Sequence, residues 1–237
     1  MSNVGRRHRA ILKAATAICL LAVTTCLVAL TFARNATSPA TQPFTPDRVT
    51  PTEGRPEAVF IGDSYAQGSG KWPGMVAKAQ RWEMVNLARG GTGYTSQLTG
   101  QTAQKGCGLD ECPSFVEMAD VAIKRKPDVV VVAGGRNDGG ANIVDATHAL
   151  FRKVRDALPE ARIIAIQPMW DATSYPGFLV GYGRVIRKEV EAVDGDYVKI
   201  GSPLAGRPDL IKDDGVHPTS AGQKVLAEAV NEEMSKT

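Results

Sequence analysis

Apolar residues recur along this chain in two rhythms. Short, largely apolar runs at 57–61, 82–87, 128–133, 161–166 and 197–200 alternate with longer segments whose apolar positions return every three or four residues. A strand buried on both faces has no polar side to display, so it is written as a near-continuous apolar run. A helix lying on a sheet buries only one stripe. The spacing predicts helices over 114–126 (Phe115, Val116, Ala119, Ala122, Ile123) and 142–158 (Ile143, Thr147, Leu150, Phe151, Val154, Leu158). It predicts two more over 178–193 and, after Pro218, 219–234. Strands that alternate with helices imply a parallel sheet joined by right-handed crossovers. The pattern therefore predicts an α/β domain, a three-layer α/β/α sandwich over residues 57–237, with no internal repeat.

The first 34 residues follow a different pattern. Arg6, Arg7, Arg9 and Lys13 precede twenty uncharged residues, 14–33. A spanning helix needs about 20 apolar residues, and the apolar core of a cleaved signal about 7–15. Residues 1–34 are expected to be a signal or membrane anchor, long enough to span, with the basic flank in the cytoplasm and the rest of the chain outside. Thr31-Phe32-Ala33 offers a cleavage site for the secreted alternative. Residues 35–56 carry Pro39, Pro43, Pro46, Pro51 and Pro56 among threonines, which predicts a semi-rigid spacer without a core. The expected localisation is extracytoplasmic, membrane-anchored or secreted.

Charge and cysteine usage refine this picture. The formal charge of +3 comes from the N-terminus, because residues 1–34 hold five basic residues and no acid. The remainder has 23 basic against 25 acidic residues, so no nucleic-acid partner is expected. Cys19 and Cys26 fall inside the apolar segment. Cys107 and Cys112 bracket a short polar loop, and in an exported domain they are expected to form a disulfide. Too few ligands gather near them for a metal site, and neither a metal nor a cofactor is expected.

Candidate chemistry lies where apolar runs end. Ser64 follows the first run in Gly62-Asp63-Ser64-Tyr65. Asn137 follows the third in Gly135-Arg136-Asn137-Asp138. Asp214 and His217 stand just before the last helix in Asp214-Gly215-Val216-His217. Open α/β sheets present their sites at the carboxyl ends of the strands. A serine, a histidine and a carboxylate are the parts of a nucleophilic acyl-transfer site.

These blocks, together with Asn86-Leu87-Ala88-Arg89-Gly90-Gly91-Thr92, resemble the four motif blocks of the SGNH (GDSL-type) hydrolases. They occur in the family's order across residues 59–217, with Tyr65 where the name-giving motif has leucine. The resemblance implies a five-stranded, flavodoxin-like sheet. It implies Ser64 as nucleophile, His217 as base and Asp214 as the group that orients His217. It also implies an oxyanion hole from the backbone N–H of Ser64, the backbone N–H of Gly91 and the side-chain amide of Asn137. Gly90, Gly91 and Gly93 compete for the second of these roles, and counting five residues on from Asn86 selects Gly91.

Each residue also has a plainer use. Ser64 and Asn137 are common helix caps. Asp63, Asp138 and Asp213 suit local backbone bonding. Trp170, Tyr175 and Phe178 suit packing under a loop. Taken together, the residues predict an exported serine esterase acting on small O-acyl esters, such as acetyl groups on carbohydrate. An O-acyltransferase with the same site and a catalytically silent wall- or sugar-binding module are the alternatives. Expected partners are a small acyl ester or acylated carbohydrate, and the membrane through residues 14–33 if they are not cleaved.

Overall fold

The computed structural model describes residues 47–48 and 54–236. The expected anchor at 1–34 and most of the expected spacer lie outside the described residues. Among the described residues no helix is long and apolar enough to cross a membrane.

The element order is β1 (Asp47–Arg48), β2 (Glu57–Gly62), α1 (Trp72–Gln80), β3 (Glu83–Asn86), α2 (Gly100–Gly106), α3 (Phe115–Arg125), β4 (Val129–Ala133), α4 (Val144–Ala157), β5 (Arg162–Ile166), α5 (Gly177–Glu191), β6 (Asp196–Val198) and α6 (Ser220–Met234). Two 3-10 turns, Arg136–Asp138 and Pro208–Leu210, complete it. The sheet runs β1-β3-β2-β4-β5-β6. β2 to β6 are parallel in the flavodoxin-like order, and β1 adds antiparallel to β3. That short edge strand falls within the segment expected to be a spacer.

Alternation along the strands builds two cores at once. Val59, Ile61, Val130, Val132, Ile163 and Ala165 face α3, α4 and α5. Their neighbours Ala58, Phe60, Val129, Val131, Ile164 and Ile166 face α1 and α6. Successive strand residues point to opposite faces, so an all-apolar strand feeds both layers. Removing Phe60, 1% exposed and edge-on to Trp72, would cost about 3–5 kcal/mol.

Local signals set the helix ends. Ser114 and Glu117 form a capping box that starts α3. Thr219 accepts the Gly222 N–H to start α6. Helix α1 was not predicted by the apolar spacing. It opens on Trp72-Pro73-Gly74, and its N-terminus is tied to α6 where the Trp72 N–H donates to Gln223 Oε1 at 2.9 Å.

Register brings the strand ends level. Gly62 pairs with Ala133, and Phe60 with Asn86, so β2, β3 and β4 finish at one edge of the sheet. The chain passes from β2 to β3 on one side and then crosses to β4 on the other. This reversal of direction opens a crevice at the carboxyl end of β2.

Candidate active site

The turn after β2 carries Ser64. Asp63 shapes that turn, its Oδ1 accepting the Tyr65 N–H at 2.9 Å. Buried Asn86, at the end of β3, donates to the Ala66 carbonyl at 2.7 Å and accepts the Ala88 N–H at 3.0 Å. The two strand-end turns are thereby held together.

His217 arrives from the other end of the chain on a small hairpin. The Lys212 N–H donates to the His217 carbonyl at 2.8 Å, and the Thr219 N–H to Leu210 at 2.8 Å. Asp214 sits at its tip. One carboxylate oxygen accepts the N–H groups of Val216 (2.9 Å) and His217 (2.8 Å), which fixes the loop. The other lies 2.8 Å from His217 Nδ1. His217 Nε2 lies 2.9 Å from Ser64 Oγ. The backbone N–H groups of His217 and Val216, followed by the His217 ring, hold the Asp214 carboxyl well below the usual carboxylate range. An ionised Asp214 keeps a proton on Nδ1, which leaves Nε2 as the atom able to take one from Ser64.

Tyr65 locks the hairpin to the serine turn, its hydroxyl donating to the Val216 carbonyl at 2.6 Å. Burial pushes its phenol pKa upward, so it stays a donor.

The three competing glycines are told apart by what holds each N–H. Gly90 donates to Gln67 Oε1 at 2.8 Å, and Gly93 donates to the Ser96 carbonyl at 3.0 Å. The N–H groups of Gly91 and Ser64 have no acceptor among the described residues. Gly91 has φ +76°, and a Cβ there would lie 2.2 Å from Leu98 Cδ1, so both conformation and space call for glycine. At Gly93 a Cβ would strike the Asp138 carboxylate at 2.4 Å.

Asn137 stands in the 3-10 turn after β4. Its Nδ2 donates to the Thr92 carbonyl at 2.9 Å. Asp138 beside it accepts the N–H groups of Tyr94, Thr95 and Ser96 and the Thr95 hydroxyl. It thus fixes the loop after Gly91 onto the β4 turn. Ser64, Gly91, Asn137 and His217 all line one cleft of about 520 Å³. An anionic tetrahedral centre bonded to Ser64 could be met there by the Ser64 and Gly91 N–H groups and the Asn137 amide, which is how an oxyanion hole works.

Other residues singled out in the sequence lie elsewhere. His148 is largely exposed and pairs with Glu189 at 2.8 Å. Trp170 and Phe178 pack edge to face, and Tyr175 donates to the Pro168 carbonyl. Cys107 and Cys112 are joined by a disulfide. Several residues at the cleft were not predicted, among them Gln67, Lys71, Lys105, Arg136 and Lys212. Gln67 positions Gly90. Arg136 stacks 3.8 Å over Trp170 and is held by Asp171 at 2.8 Å. Lys212 comes with the hairpin. Only Arg136 had a sequence signal, since it lies inside the third motif block.

Asp63 invites a stability test. Burial raises its pKa from 3.8 to about 6, with the Tyr65 N–H opposing the shift. Between those values the unfolded chain gives up the proton first, so stability falls as pH rises from about 4 to 6 and the penalty persists above that. A shift of that size corresponds to roughly 3 kcal/mol. Asp63→Asn keeps an acceptor for Tyr65 and cannot ionise. Denaturant unfolding at pH 4 and pH 8 should show the variant gaining on the wild type by up to about that amount. A stability difference independent of pH would mean that Asp63 does not bury a charge.

A parallel α/β sheet with a serine, a histidine and an aspartate in line at its carboxyl edge defines a serine hydrolase of the α/β/α class. The sequence profile of the GDSL-like lipase/acylhydrolase family matches residues 60–225, and the chain belongs to that family. It is 30% identical over 187 residues to a GDSL lipase of Mycobacterium tuberculosis, covering 72% of this chain and 78% of that one. Among solved structures it is similar to TesA, with TM-score 0.57, 18% identity and coverage of 76% of this chain and 98% of the other. A family two carbohydrate esterase from Clostridium thermocellum is similar at TM-score 0.57 and 18% identity, with coverage of 80% and 65%. The chain is an SGNH-type hydrolase acting on ester bonds.

Proposed function

We propose that this protein is an exported esterase that removes small O-acyl groups, acetyl foremost, from carbohydrate through an acyl-enzyme on Ser64. The observation that carries it is the continuous relay from Asp214 through His217 to Ser64, 2.8 Å and 2.9 Å long, opening on the cleft. His217 takes the Ser64 proton as Oγ attacks the carbonyl carbon, and the Ser64 and Gly91 N–H groups and the Asn137 amide receive the oxyanion. The tetrahedral centre collapses to the acyl-enzyme as His217 protonates the leaving alcohol. Water, activated by the same imidazole, then releases the acid. His217 is 36% exposed, which lets water reach that ester and favours hydrolysis over transfer.

The cleft supports a short acyl group. Among the described residues Leu98 and Val216 are the only large apolar side chains lining it, against Gln67, Arg136 and three lysines. A long acyl chain gains about 0.8 kcal/mol per buried methylene, and this lining offers little surface to collect it. The carbohydrate part is supported by the fold shared with the Clostridium thermocellum carbohydrate esterase. Export is supported by the basic and apolar N-terminal segment and by the Cys107–Cys112 disulfide.

A panel of 4-nitrophenyl esters of increasing chain length tests the acyl size. The expected kcat/KM is greatest at two to four carbons, roughly, and does not rise beyond. A kcat/KM that climbs steadily to long chains would replace this reading with that of a lipase.

A further inference from the structure

The cleft around Ser64 is ringed by positive charge. Lys71 stands at the start of α1, Lys105 in the last turn of α2, Arg136 in the turn after β4 and Lys212 on the hairpin that carries His217. Among the described residues no aspartate or glutamate lines the cleft. This is not a consequence of overall composition, because the chain beyond residue 34 is slightly acidic.

The three lysines are also unneutralised. Lys153, Lys188, Lys224 and Lys236 each sit beside a carboxylate. Lys71, Lys105 and Lys212, like Lys78, Lys124, Lys126 and Lys199, have no salt bridge among the described residues, and of these seven the first three alone line the cleft. Arg136 is spent on Asp171. Asp214, two residues from Lys212, uses one oxygen on the hairpin backbone and the other on His217. Lys71 is partly buried, and that burial, followed by the like charge of Lys212, holds its pKa below the ordinary lysine value. Lys71 is half-buried and Lys105 and Lys212 are exposed at the rim, so an anion entering the cleft meets side chains of one sign of charge, which raises its local concentration there.

We propose that the ester substrate carries an anionic group, a carboxylate or a phosphate, beside its acyl group, and that Lys71, Lys105 and Lys212 bind it. This rests on Ser64 being the esterase nucleophile. Ammonium groups act as point charges on flexible stems, so they suit either anion, whereas a guanidinium fork would select geometry. The lysines serve as specificity residues. They draw the anionic ester in and orient its carbonyl toward Ser64, and the chemistry stays with His217 and Ser64.

The test compares phenyl acetate, 4-acetoxybenzoate, 4-acetoxyphenyl phosphate and the trimethylammonium analogue, using the whole protein and its Lys71→Gln/Lys105→Gln/Lys212→Gln variant. Taking each ester's ratio of variant to wild type cancels its intrinsic reactivity. At low ionic strength the variant should lose about tenfold more kcat/KM on at least one anionic ester than on phenyl acetate, and none of this extra loss on the cationic one. High salt should erase the difference. Which anion suffers the greater loss distinguishes carboxylate from phosphate. Equal losses on all four esters, or no loss on any, would overturn the proposal. Turnover of none of them by the wild type would instead refute the esterase reading itself.

Discussion

Replacing Ser64 with alanine is expected to lower kcat/KM for ester hydrolysis by on the order of 10⁵ or more. The size follows from the role. Without Oγ no acyl-enzyme can form, and what remains is catalysis by the oxyanion donors and binding acting on water. Stability should hardly move, because the only side-chain hydrogen bond that Ser64 makes in the described structure is to His217. An unfolding midpoint close to that of the wild type, within roughly 1 kcal/mol, is therefore part of the expectation. A folded Ser64→Ala protein that retains a tenth of its activity would remove Ser64 from the mechanism.

The second large effect is at Asn137. Its amide can meet charge that exists only while the carbonyl carbon is tetrahedral. Removing it should lower kcat by about 10²–10³ and leave KM within a few fold. The same substitution frees the Thr92 carbonyl from its bond to Nδ2, so a modest loss of stability is expected as well. Steady-state kinetics on a small acyl ester, with an unfolding curve alongside, separates the two effects. A rise in KM with unchanged kcat would make Asn137 a substrate-binding residue.

What could be read from the sequence was what burial writes locally. β2, β4 and β5 are apolar on both faces, so their runs stood out, and α3, α4 and α6 show a clear stripe or cap. The site blocks were legible because each is a short stretch at a strand end or before a helix. Helix α1 was missed because it is nine residues long, carries a proline and a glycine in its first turn and buries only Trp72, Pro73, Val76 and Ala77. α2 buries Ala103 alone and so leaves no periodic trace. The choice among Gly90, Gly91 and Gly93 rests on partners, Gln67 for the first and Ser96 for the third, that no spacing rule reveals. That Lys71 and Lys212 line one cleft depends on the hairpin returning to the same edge of the sheet as the start of α1, a placement no local pattern in the sequence records.

The central claim is that Ser64, activated by His217, is the nucleophile. Covalent labelling by a small organophosphonate, followed by peptide mapping, tests it most directly, because the reagent needs the paired serine and imidazole and reports the residue by position. The account predicts a single phosphonyl group on Ser64, with a labelling rate that collapses in His217→Ala. A label on any other residue, or a Ser64 that labels equally fast without His217, would contradict it.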